Sequence, residues 1–190
     1  MHASRPYIES VASPTLITAD DLPRLTPPHK RSELVRGVLV VREPPGYQHG
    51  VVTARLARII ADYVDQRGVG DVLAGDPGFK LATNPDTVRA PDIAFVKRER
   101  APDPSPTGFA DFAPDLAVEV RSPSDRPGEV LAKVADWLSA GSALVWVVDP
   151  GPRCARVYRA DGSEALVTAE GSLDGEDVLP GFSCHLADVF

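Results

Sequence analysis

The sequence predicts one α/β (α+β) domain in which a largely β core is flanked by two substantial helices. Residues 48–66 and 129–140 repeat apolar side chains at three- and four-residue steps, the helical period, and Gly68 and Gly141 end these runs. Short apolar and β-branched runs between turn residues predict strands at 34–41, 71–73, 78–82, 91–96, 115–120 and 144–148. Arg36 and Gly37, in the middle of the first run, predict a hairpin turn or a bulge there. Interleaved strands and helices of this kind indicate a mixed β-sheet with helices packed against it.

The sequence also predicts structure in the N-terminal and C-terminal segments. Residues 1–17 are predicted to be a loosely ordered N-terminal segment, and Thr18 to Asp21 resembles a capping box that opens a short helix before Pro27. Residues 154–159 and 165–168 flank a turn sequence and predict an additional C-terminal β-hairpin. The apolar tail, 178–190, is expected to dock on the core. Because no repeat or compositional break is visible, residues 18–190 are predicted to form a single domain.

Composition excludes several classes of protein. No apolar run approaches the roughly 20 residues that cross a bilayer, and the N-terminus lacks a secretory signal, so a cytoplasmic protein with no membrane partner is expected. Cys154 and Cys184 are too few for a disulfide framework and lack zinc-ligand spacing. The net charge of -7 argues against a surface that binds nucleic acid as a whole, but it allows a local basic cleft.

Two carboxylates stand in otherwise apolar strand segments. Glu119 lies among Leu116, Val118 and Val120, where an acid is costly to bury unless it is paired or coordinates a metal ion. Asp92 opens the strand segment 91–96. Each residue alone could be structural, Glu119 as the partner of an arginine and Asp92 as a turn residue. If the two strands lie side by side, their oxygens suit a hard cation such as Mg²⁺.

Lys133 is the third candidate, because lysine is rare in this chain. Only four of the 20 basic residues are lysine. In the helix 129–140, Lys133 lies at the border of the apolar stripe that includes Leu131 and Trp137, and its stem could carry the ammonium to the carboxylates. Asp136 is expected to face solvent. The alternative is that Lys133 is an ordinary solvated lysine.

These segments together resemble a known family. The resemblance rests on the runs 89–96 and 114–125, on Lys133, Gly141 and 148–150, and upstream on 32–37 and His49. In this order and spacing they resemble the Uma-type restriction endonuclease family of the PD-(D/E)xK nuclease superfamily. The similarity covers about residues 18–149, and we expect it to continue to the C terminus.

The resemblance implies a restriction-endonuclease-like fold and a metal-dependent endonuclease that hydrolyses phosphodiester bonds of nucleic acid, most readily DNA. Asp92 and Glu119 would bind Mg²⁺ or Mn²⁺, and Lys133 would be catalytic beside them. The superfamily pattern places lysine two residues after the glutamate, where this chain has Arg121, and arginine does not readily lose a proton. In the Uma-type family the lysine has moved to the following helix, which here means Lys133.

Further residues are candidates for supporting roles. Glu33 could add a ligand or a base, and His49 could contact phosphate or metal, although a solvated glutamate and a capping histidine are the structural alternatives. Arg121 is a possible supporting residue. The arginines of the two loops that follow the acidic strands could attract a phosphate backbone or could pair with acidic neighbours: Arg98, Arg100, Arg121 and Arg126.

Three functions stay open at this stage. The first is a Mg²⁺-dependent endonuclease acting on DNA, for which a homodimer would make double-strand cutting easier. The second is a catalytically weak or inactive binding module on the nuclease fold, which the Arg121 departure and the acidic net charge favour. The third is a metal-dependent hydrolase of another phosphate ester, with the same site chemistry.

Overall fold

The computed structural model describes residues 16–190, in which a six-stranded mixed sheet and a four-stranded antiparallel sheet are combined with three α-helices. A two-stranded ribbon and a short 3₁₀ helix, Leu186–Asp188, complete these described residues. The elements are α1 (Leu22–Leu25), β1 (Arg31–Val35), β2 (Val38–Arg42), α2 (Tyr47–Arg67), β3 (Gly70–Ala74), β4 (Phe79–Ala82), β5 (Thr87–Arg89), β6 (Ile93–Lys97), β7 (Leu116–Val120), α3 (Pro127–Ser139), β8 (Leu144–Asp149), β9 (Cys154–Arg159), β10 (Glu164–Thr168), β11 (Ser172–Asp174) and β12 (Ser183–His185).

The large sheet has the strand order β10-β9-β8-β7-β6-β3. Among the strands of residues 16–190, its only parallel pair is β7 and β8, and α3 makes the connection between them. The small sheet has the order β2-β1-β5-β4 and is antiparallel throughout. The fold is therefore a mixed α+β arrangement with a mixed sheet flanked by helices, as the sequence predicted.

Opposite faces of the large sheet bury different side chains because neighbouring residues of a strand point to opposite sides. In β7, Leu116, Val118 and Val120 pack in the core that contains α2 and the C-terminal segment. Ala117 packs on the other side, in the core that contains α3 through Val134 and Trp137. Glu119 follows the parity of Ala117 and therefore lies on the α3 side.

Several predicted elements are confirmed with small changes of bounds. The long helix α2 ends where Gly68 adopts a left-handed backbone with φ of 62°, a conformation that glycine adopts without steric cost. Arg36 and Gly37, with φ of 49° and 75°, form the turn of the β1–β2 hairpin. The C-terminal hairpin is β9 and β10, and it extends the large sheet. The apolar tail docks on the core, where Leu179 and Leu186 are fully buried.

Other predictions differ from the structure. The first helix begins at Leu22, because the Asp21 carboxylate accepts hydrogen bonds from the hydroxyl and the backbone N–H of Thr18 in a turn that precedes the helix. Leu131, expected in the apolar stripe of α3, is 52% exposed. The strands β5, β11 and β12 have three residues each, too few to show a pattern. The first fifteen residues of the predicted N-terminal segment 1–17 lie outside the described part of the chain.

Among residues 16–190, no helix has the length and apolar character that spanning a bilayer requires.

Candidate active site

Asp92 and Glu119 lie at the same end of the β6–β7 pair. Ile93, the first residue of β6, pairs with Val118 of β7; Asp92 directly precedes Ile93, and Glu119 directly follows Val118. Both carboxylates line one cleft, and the charge of Asp92 contributes to a raised pKa of Glu119.

Three donors hold the Asp92 carboxylate. The backbone N–H of Val120 donates to Asp92 Oδ2 at 2.6 Å, and Arg31 Nη2 lies 3.1 Å from Oδ1. His49 Nε2, from the first turn of α2, lies 3.1 Å from the same Oδ1. Burial raises the pKa of Asp92, but the contacts with His49, Val120 and Arg31 outweigh burial and bring the pKa below its ordinary value.

Glu119 is held by two side chains of α3. Lys133 Nζ donates to Glu119 Oε2 at 2.9 Å, and Trp137 Nε1 donates to Oε1 at 2.9 Å. Burial raises the pKa of Glu119 to about 7, against the lowering effect of Lys133 and with a further increase from the charges of Asp92 and Glu33. The Glu119 carboxylate is thus buried close to two other carboxylates, those of Asp92 and Glu33.

The Lys133 ammonium is shared between two glutamates. It lies 2.9 Å from Glu119 Oε2 and 3.2 Å from Glu33 Oε1, so it joins β7 of the large sheet to β1 of the small sheet. Burial lowers the pKa of Lys133, but the charges of Glu119 and Glu33 outweigh burial and raise the pKa above its ordinary value. Lys133 is therefore a half-buried, paired cation and not a solvated helix lysine.

Glu33 belongs to a second buried network that sequence reasoning missed. Arg89 Nη1 donates to Glu33 Oε2 at 2.9 Å, and the backbone N–H of Ala90 donates to Oε1 at 3.2 Å. Arg89 also donates from Nε and Nη2 to Asp136 Oδ2, at 2.8 and 2.6 Å. Asp136 is therefore paired with Arg89, and the expectation that it faces solvent is wrong. Lys133 and Asp136 lie one turn apart on α3, and both bind the small sheet.

Asp76 adds a further carboxylate to the cleft. Its side chain pairs with Arg31, whose guanidinium also contacts Asp92. Burial, assisted by the charge of Asp92, raises the pKa of Asp76 against the effect of Arg31. Its φ of 62° is unusual for a residue with a side chain, and such backbone strain is often found at functional sites. Nothing in the sequence pattern singles out this loop residue.

Carboxylates outnumber the lysine and arginine side chains around Asp92 and Glu119. Among the described residues the network contains five carboxylates and three such cations, and His49 also contacts Asp92. The carboxylates are Glu33, Asp76, Asp92, Glu119 and Asp136, and the cations are Arg31, Arg89 and Lys133. A concentration of carboxylates in a partly buried site favours the binding of a divalent cation.

The donor set fits a magnesium-type ion and does not resemble a zinc site. No group of three or more His, Cys, Asp or Glu side chains in residues 16–190 is arranged to enclose a metal ion. Mg²⁺ usually keeps several waters and needs only one or two protein carboxylates, so Asp92 and Glu119 suffice in number and kind. All four oxygens already have a donor, Val120, Arg31 and His49 at Asp92 and Trp137 and Lys133 at Glu119, so a metal ion would take a second lone pair or displace one of these donors.

The loop arginines do not join this site. Arg121 Nη1 pairs with Asp149 at 2.5 Å, and Arg121 is not among the residues that line the cleft. Arg100 pairs with Asp115 at 2.8 Å, and Arg98 donates to the backbone oxygen of Gly68. Arg126 is the N-cap residue of α3. Of the described residues, the Lys and Arg side chains that line the cleft are Lys133 of α3, Arg31 and Arg42 of the small sheet, and Lys30, which precedes β1.

Comparisons with known proteins agree with this fold. No curated protein is significantly similar to the chain in sequence. A crystal structure from Anabaena variabilis, described as that of a putative nuclease, superposes with a TM-score of 0.81 over 92% of this chain and 97% of the other, at 19% sequence identity. The superposition establishes a common fold.

The sequence profile of the family Uma2, described as "Putative restriction endonuclease", matches residues 19–187. This match includes every residue of the carboxylate cleft named above, and it covers nearly the whole chain. The chain therefore belongs to the Uma2 family of putative restriction endonucleases.

Proposed function

We propose that this protein is a metal-dependent endonuclease that hydrolyses phosphodiester bonds of DNA, with Asp92 and Glu119 as ligands of Mg²⁺ or Mn²⁺ and Lys133 as the third catalytic group. The observation that carries the proposal is the placement of both carboxylates in one cleft at the end of the β6–β7 pair, with the Lys133 ammonium 2.9 Å from Glu119. Membership of a family of putative restriction endonucleases supports the same reaction class.

The proposed chemistry divides between the cation and the chain. A bound divalent cation would neutralise phosphate oxygens and activate water for attack. The chain keeps its ligands in place: the Val120 N–H and His49 orient Asp92, and Trp137 orients Glu119. Because these donors are fixed before substrate binds, little reorganisation remains for the reaction itself.

Lys133 is proposed to act as a cation and not as a base. Its raised pKa keeps the amine protonated, so it can donate hydrogen bonds to an oxygen on which negative charge develops. Glu33 and Glu119 hold the ammonium at the cleft, and it would move from a carboxylate oxygen to a phosphate oxygen over a short distance. Glu33 is thus a positioning residue for Lys133, and His49 is one for Asp92.

A second candidate is a nuclease-fold binding module with little or no catalysis. Arg121 stands where the superfamily pattern has lysine, and its guanidinium is engaged with Asp149. If Lys133 does not replace that lysine, the cleft would bind a metal ion or a polynucleotide without turnover. Cleavage assays separate this candidate from the enzyme.

The experiment that tests the proposal is plasmid cleavage with Mg²⁺ or Mn²⁺. The wild type is compared with Asp92→Asn and Glu119→Gln, and exposed acids supply the matched controls Asp62→Asn and Glu164→Gln. We expect nicking or linearisation by the wild type and both controls, no cleavage with EDTA, and a loss of at least about a hundredfold in each site variant. Cleavage that survives Asp92→Asn and Glu119→Gln would remove the proposed site, and a wild type that binds metal but never cleaves favours the binding module.

The quaternary state belongs to the same proposal. A homodimer would present two cleavage sites to the two strands of a duplex, whereas a monomer would nick one strand at a time. Light scattering at assay concentrations, read together with the ratio of nicked to linear plasmid, distinguishes these cases.

A further inference from the structure

We infer that Arg31 is a counter-ion of Asp92 that leaves this carboxylate when Asp92 binds a cation and then contacts a backbone phosphate of the nucleic acid, and that Asp76 is the residue that positions Arg31 for both tasks. The inference rests on the proposed function, because it assigns roles to two residues beside the proposed metal ligands. It is carried by the donors of each carboxylate oxygen and by the second partner of each cation.

The two oxygens of the Asp92 carboxylate have donors of different kinds. Oδ2 accepts a hydrogen bond from the backbone N–H of Val120 at 2.6 Å, and this donor is fixed in β7. Oδ1 is contacted by two side chains, Arg31 through Nη2 and His49 through Nε2, each at 3.1 Å. A side chain can rotate away, whereas a strand N–H cannot. Oδ1 is therefore the oxygen that Asp92 can offer to a cation.

Arg31, unlike His49, has a second acid to hold it. Within residues 16–190, the Arg31 guanidinium also pairs with Asp76, whereas His49 contacts no second carboxylate. The side chains of Arg31 and Asp76 are 27% and 32% exposed, and that of His49 is 8% exposed. Arg31 can therefore leave Asp92 without becoming an unpaired cation in a partly buried site, which would be costly.

The other proposed metal ligand has the same arrangement. One oxygen of Glu119 accepts a hydrogen bond from the neutral indole N–H of Trp137, and the other contacts the Lys133 ammonium. Lys133 has a second carboxylate partner in Glu33, as the Arg31 cation has one in its own loop neighbour. Each acid thus has one oxygen held by a neutral donor and one oxygen held by a cation that a further carboxylate retains in the cleft.

The Arg31 guanidinium keeps donors for a third partner. Among the described residues, its hydrogen bonds to Asp76 and Asp92 both use Nη2. A guanidinium carries five N–H groups in a rigid planar fork that matches phosphate oxygens, so the donors on Nε and Nη1 are left for such a ligand. Arg31 and Asp76 line the same cleft as Asp92 and Glu119. A phosphate that reaches these carboxylates therefore comes within reach of Arg31.

The first measurement is calorimetric titration of the full chain with Mn²⁺. Arg31→Met keeps the aliphatic stem and removes the cation that competes for Asp92, so Mn²⁺ should bind at least about fivefold more tightly. Asp76→Asn leaves Arg31 with Asp92 as its carboxylate partner and should weaken Mn²⁺ binding about fivefold. Asparagine tolerates the φ of 62° at position 76, and both side chains are half-buried, so both variants should fold.

A double variant shows whether Asp76 acts through Arg31. In the Arg31→Met background, Asp76→Asn should change Mn²⁺ affinity by less than about twofold, because no guanidinium is left to hold. Equal losses in the two backgrounds would mean that Asp76 acts on the metal ion directly, and they would overturn its positioning role.

Arg42→Met is the matched control for the gain in affinity. Arg42 is another arginine of the small sheet that lines the cleft, but it pairs with Glu129 and not with a proposed metal ligand. Its removal should change Mn²⁺ affinity by less than about twofold. An equal gain in Arg42→Met and Arg31→Met would show a general effect of charge and would overturn the inference.

The second measurement is binding of a short DNA duplex to the full chain, followed by fluorescence anisotropy in saturating Ca²⁺ at several salt concentrations. Arg31→Met should bind the duplex at least about threefold more weakly, and the slope of log affinity against log salt concentration should fall by about one, because one phosphate contact is lost. Arg58→Met, which removes an exposed arginine paired with Asp62, should preserve both values. A merely structural role for Arg31 would weaken metal binding and DNA binding together, so opposite changes are specific to the inference.

The outcomes separate this inference from the proposed activity. Tighter Mn²⁺ binding and weaker duplex binding in Arg31→Met, in a protein whose wild type never cleaves, support the inference and count against the endonuclease. Cleavage by the wild type, with Mn²⁺ affinity unchanged or reduced in Arg31→Met, supports the endonuclease and overturns the inference. Unchanged duplex affinity and salt slope in this variant, or a wild type that binds no duplex, overturn the phosphate contact.

Discussion

At the scale of single residues, the ionisation of Glu119 sets the properties of the cleft. The side chain is buried between Lys133 and Trp137, and its pKa is raised to about 7 by burial together with Asp92 and Glu33. In the unfolded chain the same group titrates near its ordinary value of 4.5. Between about pH 4.5 and pH 7, Glu119 of the folded, metal-free protein therefore holds a proton that the same group has released in the unfolded chain.

This difference in pKa makes the free energy of unfolding depend on pH, and the direction of the shift fixes the sign of that dependence. The contribution of a group whose pKa is raised on folding is fully present below pH 4.5 and is lost as the pH rises through about 7. In EDTA, urea unfolding should show the stability of the wild type relative to Glu119→Gln falling between pH 5 and pH 8, by about 1–3 kcal/mol. Parallel stability curves for the two proteins would contradict a raised pKa at Glu119.

Lys133 should affect turnover and metal binding in opposite directions. Lys133→Gln removes a cation from the carboxylates, so Mn²⁺ should bind at least as tightly as in the wild type. Cleavage should nevertheless be about 10²–10³-fold slower, because the developing negative charge loses its partner. Calorimetry and initial cleavage rates measure the two effects.

Lys97→Gln is the matched control for this change, because the Lys97 ammonium donates to a backbone oxygen of the C-terminal region and does not line the cleft. It should preserve both metal affinity and rate. If Lys133→Gln cleaved as fast as this control, Lys133 would have no part in the reaction.

Sequence alone could identify the site residues that contrast with their surroundings. Asp92 and Glu119 are acids in apolar strands, and Lys133 is a rare residue at the border of an apolar stripe. Trp137 gave no such signal, because its spacing is that of a core residue and its indole N–H donates to Glu119 only in the folded protein. Asp76 acquires its environment from distant Arg31, and no local pattern encodes that contact.

At the scale of elements, α3 and the small sheet are joined by buried charges. Lys133 and Asp136 extend from one side of α3 to Glu33 of β1 and Arg89 of β5. Sequence reasoning predicted α3 but missed β5, since three residues are too few to show strand periodicity. Asp136 was expected to face solvent from its angle around α3, opposite the apolar stripe, and its counter-ion, Arg89, lies on that unpredicted strand.

Arg89 should therefore matter far more than an exposed arginine. Arg89→Met removes the cation that Glu33 and Asp136 share in a buried site and should destabilise the protein by about 3–5 kcal/mol. Arg58→Met breaks an exposed i,i+4 pair with Asp62, in which Arg58 is 67% exposed, and should cost less than about 0.5 kcal/mol. Urea unfolding of both variants measures the difference. Equal effects would show that the Arg89 network contributes no more than a surface pair.

At the scale of the whole molecule, the fold brings together residues that are far apart in sequence. Glu33 comes from the small sheet, His49 from α2, Asp92 from the residue before β6, Glu119 from β7, and Lys133 from α3. The strand order could not be read from the sequence, but the antiparallel pairing of β6 with β7 is the feature that brings both acids to the same end of two neighbouring strands. The helices, the β1–β2 and β9–β10 hairpins and the family resemblance were all accessible from sequence patterns.

The measurement that bears most directly on the proposed site is calorimetric titration of the metal-free protein with Mn²⁺. The shared site predicts one ion per chain for the wild type and for Asp62→Asn. Asp92→Asn and Glu119→Gln should each weaken binding by at least about tenfold, because each removes one of only two carboxylate ligands. A wild type that binds no Mn²⁺, or undiminished binding in both site variants, would contradict a metal ion held jointly by Asp92 and Glu119.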